Sequence, residues 1–234
     1  MLKIEHLTKT YGEKKAVNDL SLHIRPGEIY GFIGHNGAGK TTTLKSAVGI
    51  LDFDEGEITI GGISVKDNPI EAKKILAYIP DNPDLYNYMS GIQYLNFVAD
   101  IFKIEKSVRS DRITGYAEKF EMLTDLAQPI SSYSHGMKQK LALMSALIHE
   151  PKLILMDEPF VGLDPKAAFM VKGLMREICD NGGAIFFSTH VLEVAEKICD
   201  KIAIIKNGVL IKSGTTEGVK GDDSLEEVFL ELEE

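Results

Sequence analysis

The first thirty residues alternate apolar and polar side chains, with Leu2 and Ile4 and then Leu20, Leu22 and Ile24 sharing a face, and the alternation breaks at Arg25-Pro26-Gly27-Glu28. That period of two predicts half-buried antiparallel strands joined by turns. YGFIG, residues 30–34, reads as a short apolar strand; a glycine-rich turn follows at once, and Leu44, Val48 and Leu51 then recur at helical spacing. The stretch 57–65 alternates again about Gly61 and Gly62, which predicts a hairpin. Between about residues 85 and 150 the texture changes to long helical patterns (IQYLNFVADIF, YAEKFEM, KQKLALMSALI), predicting an inserted helical subdomain. From Pro151 short apolar runs (LILM, AIFF, IAII) alternate with helical segments, the pattern of a mostly parallel sheet. Lys206-Asn207-Gly208-Val209 predicts a hairpin turn, and apolar positions 225, 228, 229 and 232 predict a capping amphipathic helix over about 224–233 with a solvated acidic face.

With 234 residues and 44% hydrophobic side chains the chain can bury a substantial core, and it reads as a single domain over 1–234. A net charge of -9 argues against a surface built for nucleic acid or anionic lipid, so any phosphate site must be a local pocket. Cys179 and Cys199 each precede an aspartate with no metal-ligand spacing, which predicts buried thiols in a reducing compartment. No apolar run approaches the ~18 residues of a membrane span. The N-terminus lacks a basic-then-apolar signal, so the chain itself is expected to be cytosolic.

The turn after the YGFIG strand has the pattern G-x-x-x-x-G-K-[ST], with Gly34, Gly39, Lys40 and Thr41 at the fixed positions. Its glycines let successive backbone N–H groups turn inward onto phosphate oxygens, Lys40 reaches the terminal phosphates, and Thr41 can ligate magnesium. A nucleoside triphosphate also needs its metal held from the protein side and a polarised water. LILMDEP meets that need: a buried strand delivers Asp157 and Glu158 at its C-terminal end, where open α/β sheets place ligands. AIFFSTH brings Ser188, Thr189 and His190 to the same edge, and SYSHGMKQK opens a helix with Ser134 at its N-cap and free amides beside Gly136.

GHNGAGKT, YSHGMKQK, LILMDEP, VGLDP and STH, in this order, resemble the nucleotide-binding subunit of an ATP-binding cassette (ABC) transporter, over nearly the whole chain. HVLEVAEKICDKIAIIKNG and SLEEVFLELEE further resemble the bacterial branch paired with a separate multi-spanning permease. The resemblance implies a P-loop NTPase of the ABC type: a mostly parallel α/β core, an N-terminal antiparallel β subdomain and the helical insertion. It implies ATP and Mg2+ as ligands. Tyr11 matches the aromatic that stacks on adenine. Gly34, His35, Asn36, Gly37, Ala38, Gly39, Lys40, Thr41 and Thr42 match the phosphate loop. Ser134 and Gly136 match the signature that closes over a nucleotide on the opposite subunit. Asp157, Glu158, Asp164 and His190 match the metal carboxylate, the catalytic carboxylate, the intersubunit aspartate and the switch histidine. A second cassette and a transmembrane permease are the partners so implied, with the chain peripheral on the inner face of the membrane and ATP hydrolysis coupled to transport.

Three departures qualify the match. Asp81 stands where the family usually has a metal- and water-sensing glutamine; a carboxylate can still bind the metal but loses a donor. His135 and Met137 replace glycine and glutamine in the signature, and Val161-Gly162 replaces serine-glycine. Asp81, His135 and Met137 motivate one alternative, a regulatory cassette that binds ATP with little turnover; a soluble cassette ATPase unconnected with transport is the other, against which stand the single cassette, the lack of a long insertion and the acidic balance.

Overall fold

The computed structural model describes residues 1–233, with side chains through Leu232. Strands β1 (Leu2–Tyr11) and β2 (Lys14–Ile24) pair antiparallel, as the alternation predicts, and with β4 (Glu55–Ile60) and β5 (Ile63–Ser64) form a sheet of order β2-β1-β4-β5. The second sheet contains β3 (Ile29–Ile33), β6 (Leu76–Ile79), β7 (Leu153–Asp157), β8 (Ala184–Thr189), β9 (Lys201–Lys206) and β10 (Val209–Thr215), in the order β10-β9-β3-β8-β7-β6. All its pairings are parallel except β10 against β9, which are joined by a turn at Asn207 (φ 51°) and Gly208 (φ 81°).

Successive side chains on a strand face opposite ways, and the central sheet buries both faces. Ile33, Ile154, Met156, Ile185, Phe187 and Ile204 enter one core. Their neighbours Phe32, Leu153, Leu155, Phe186, Ala203 and Ile205 enter the other, against β1 and β2. Two buried faces explain why these strands read as unbroken apolar runs.

Helix α1 (Lys40–Ala47) follows β3 directly, α2 (Pro69–Lys74) precedes β6, and α3 (Gly91–Ile101), α4 (Lys106–Lys119) and α5 (His135–Leu147) fill the helical stretch. Helix α4 ends inside the YAEKFEM pattern that suggested it, at Lys119: Glu121 turns left-handed (φ 56°), while Phe120 and Met122 are buried. Helices α6 (Pro165–Asp180) and α7 (Leu192–Ile198) alternate with the later strands, and α8 (Thr216–Lys220) and α9 (Leu225–Glu233) end the fold. Strand β6 and helix α2 have no counterpart in the sequence pattern, because four residues at a sheet edge carry too few positions to show a period. No helix among the described residues is long and apolar enough to cross a membrane. Both cysteines are free and buried.

Register positions the site. Ile33 pairs with Thr189, Asp157 with Ser188, and Ile79 with Met156. The residues that follow β3, β6, β7 and β8 therefore emerge along one carboxyl edge, where Gly34, Asp81, Glu158 and His190 lie.

Candidate active site

The turn after β3 is curled by crowding as much as by sequence. A Cβ on Gly34 would lie 2.5 Å from the Ile205 carbonyl oxygen, and one on Gly39, at φ 111°, 2.4 Å from that of Ala16. Only glycine fits at either place. Gly39 is the N-cap of α1 and supplies no side-chain cap, so the first amides of that helix remain available to an anion. The hairpin after β9 holds the loop from behind, with Gly208 N donating to Ala38 O at 2.9 Å.

Lys40 is only 5% exposed. Its Nζ donates to Gly34 O at 2.5 Å and His35 O at 3.3 Å, and lies 3.4 Å from Glu158 Oε1. Thr41 donates its hydroxyl to Asp157 Oδ2 at 2.7 Å, and Ser188 donates to Asp157 Oδ1 at 2.5 Å. Both oxygens of this buried carboxylate are thereby oriented. Glu158, the next residue, adopts φ 48°, a conformation side chains seldom take, with its N–H directed to Ser188 Oγ at 3.0 Å. This turn swings the carboxylate back over the loop, where Oε2 lies 2.9 Å from His190 Nδ1 and accepts the His190 backbone N–H at 3.3 Å.

A cavity of about 520 Å³ opens over Lys40, Thr41, Asp157 and Glu158, while Ser188 and His190 lie behind its lining. It is lined by Tyr11 at the end of β1, by His35, Asn36, Gly37, Gly39, Lys40, Thr41 and Thr42, and by Asp81, Asp157 and Glu158. Tyr11 is half exposed, so its ring is an open face rather than part of the core. Ser134 caps α5, accepting from Met137 N at 3.3 Å, and Asp164 caps α6, accepting from Ala167 N at 2.8 Å. Neither of these nor Gly136 lines the cavity.

The cavity also contains Lys14, Lys45 and Tyr78, which sequence reasoning passed over. The two lysines balance Asp81 and Asp157 in a chain that is acidic overall, which is the local compensation a phosphate site needs. Tyr78 lies three residues before Asp81 on β6, so recognising that strand would have found it. Burial, then the charges of Asp157 and Asp81, push its hydroxyl well above the ordinary tyrosine range, and that oxygen has no hydrogen-bond partner among the described residues.

The ABC transporter family model matches residues 17–161. The chain is 33% identical over 238 residues to the ABC-type transporter ATP-binding protein EcsA of Bacillus subtilis (strain 168), covering 99% of this chain and 96% of that one. A solved ATP-binding subunit of an ABC transporter superposes with a TM-score of 0.96 at 32% identity, over the whole of both chains. The ATP-binding cassette MJ0796, solved as a dimer in a post-hydrolysis state with ADP and Pi, gives 0.83 at 25% identity, covering 92% of this chain and 99% of that one. The curled loop, the paired carboxylates and these similarities define one class: the chain belongs to the ABC transporter family, as an ATP-binding subunit built on the P-loop cassette fold. ATP binding and ATPase activity come with that membership.

Proposed function

We propose that the chain hydrolyses ATP with Mg2+ to drive transport through a separate permease, by closure and reopening of a two-cassette sandwich. One observation carries this reading. Lys40, Thr41, Asp157 and Glu158 converge on a single cavity, while Ser134 and Gly136 lie outside its lining, as they must if the signature helix completes the site of another cassette.

Tyr11 stacks on the adenine, and the loop amides with Lys40 hold the β- and γ-phosphates. The oxygens of Thr41, Asp157 and Asp81 are the hard donors that Mg2+ prefers, and Asp157 is already oriented by two hydroxyls. The metal, when bound, neutralises charge that develops on the phosphates. Glu158 accepts a proton from the attacking water, and His190, 2.9 Å away, fixes that carboxylate and reaches toward the terminal phosphate. Asp81 and the nearby groove of the helical insertion face the permease. A regulatory cassette with little turnover is the rival reading, motivated by Asp81, His135 and Met137; the tight pairing of Glu158 with His190 favours turnover.

The test uses Glu158→Gln. With Mg-ATP it should sediment as a dimer that separates when ATP is withdrawn, and the tagged native chain should retain a multi-spanning protein from detergent-solubilised membranes of its source cells. A variant that stays monomeric at saturating ATP would sink the sandwich, and retention of no membrane protein would leave only the soluble ATPase.

A further inference from the structure

The helix expected merely to cap the fold reaches the phosphate loop. Leu225, Val228 and Phe229 of α9 are buried in the same core as Ala195 of α7 and Val219 of α8. The helix start is tied down by Leu225 N donating to Glu196 Oε2 at 3.1 Å, and its last turn by Lys206 Nζ donating to Leu232 O at 2.9 Å. Held at both ends, α9 places the Phe229 ring against the His35 imidazole, with centroids 4.9 Å apart and planes at 63°. Phe229 is 7% exposed and lines no part of the cavity, whereas His35 is a lining residue of the loop itself.

The contact matters because of what the His35 backbone does. Its carbonyl accepts from Ala38 N at 3.1 Å, closing the turn, and from Lys40 Nζ at 3.3 Å, steadying the ammonium. Gly37, two residues on, has φ 83° and open space where a Cβ would stand. The hairpin amide of Gly208 holds the loop at Ala38, and the Phe229 ring meets it at His35, upstream of Gly37.

We infer that Phe229 is a positioning residue for nucleotide binding, acting through His35 to keep the phosphate loop curled before ATP arrives. The inference rests on the reading that Gly34 to Thr42 hold the phosphates. Pre-organisation of this kind lowers the ordering cost paid on binding and so shows in affinity rather than in the chemical step.

The experiment titrates the full chain with a fluorescent ATP analogue and measures steady-state ATPase kinetics for Phe229→Leu, with Val228→Ala as an equally buried neighbour and Lys40→Ala as the reference for a lost phosphate site. Melting without nucleotide reports the packing cost of each. Loss of one aromatic contact should weaken binding and raise KM about three- to tenfold with kcat within about twofold. Val228→Ala should lower the melting temperature without moving affinity, and Phe229→Leu should add nothing further in a His35→Ala background. Affinity of Phe229→Leu equal to that of Val228→Ala, with Lys40→Ala still unable to bind, overturns the positioning role alone. Unchanged binding in Lys40→Ala overturns the phosphate-loop reading beneath it.

Discussion

Glu158 and His190 meet through Oε2 and Nδ1 at 2.9 Å, across the gap between the ends of two neighbouring parallel strands. The opposite carboxylate oxygen lies 3.4 Å from Lys40 Nζ and has no hydrogen-bond partner among the described residues. This is an acceptor held in place with one oxygen still unspent. Glu158→Gln should therefore bind ATP as tightly as the native chain while phosphate release falls by about 10² or more. Equal turnover by the variant removes Glu158 as the base.

Ser188 is fully buried and serves two neighbours, donating to Asp157 and accepting from the Glu158 N–H. Ser188→Ala strips a donor from a buried carboxylate and should cost about 1–3 kcal/mol. Urea unfolding should show a lower midpoint with an unchanged slope. A midpoint matching that of the native chain would mean that Asp157 is satisfied without this hydroxyl.

Gly39→Ala forces a side chain into φ 111° and toward the Ala16 carbonyl. The conformational penalty alone is roughly 1–2 kcal/mol, and relief requires uncurling the loop. ATP affinity should fall at least about tenfold, since each 1.4 kcal/mol is about a factor of ten. Native affinity in a calorimetric titration would show that the curl is dispensable.

His149 offers a pH test remote from the chemistry. Its Nε2 meets Leu76 O at 3.0 Å, its ring stacks on Phe102, and Nδ1 is buried without a hydrogen-bond partner among the described residues. Burial lowers its pKa below 6.5, against the Leu76 carbonyl, which raises it, and with Arg112 lowering it further. Because the unfolded chain takes up this proton first, stability should decline as pH falls from 7 through 6.5 and level off below the folded value. His149→Gln should flatten that part of the profile. Parallel slopes for the two proteins between pH 7 and 5 would contradict the assignment.

The strand, loop and helix around Gly34 to Leu44 were legible because periodicity, glycine placement and motif agree there. The two carboxylates after LILM were legible because a doubly buried strand has a distinctive apolar run. Strand β6 was not, and Tyr78 was lost with it. The amphipathic period of α9 announced a buried face, yet period alone does not say which surface receives it; that Phe229 meets His35 depends on a turn, a short helix and a hairpin acting together. Nor could spacing show that Glu158 takes a left-handed backbone, since nothing but its neighbours imposes it.

The walls around Gly34 and Gly39 have a further consequence. Ile205 and Ala16 belong to different sheets and lie far from the loop along the chain, so the curvature is imposed from outside. A synthetic peptide of residues 29–47 would carry all of the loop's amides and its lysine, yet it would wander as an open coil and grip triphosphate poorly. Recognition here is a property of the assembled tertiary structure, and a graft of these residues onto another scaffold would need both carbonyls transplanted with it.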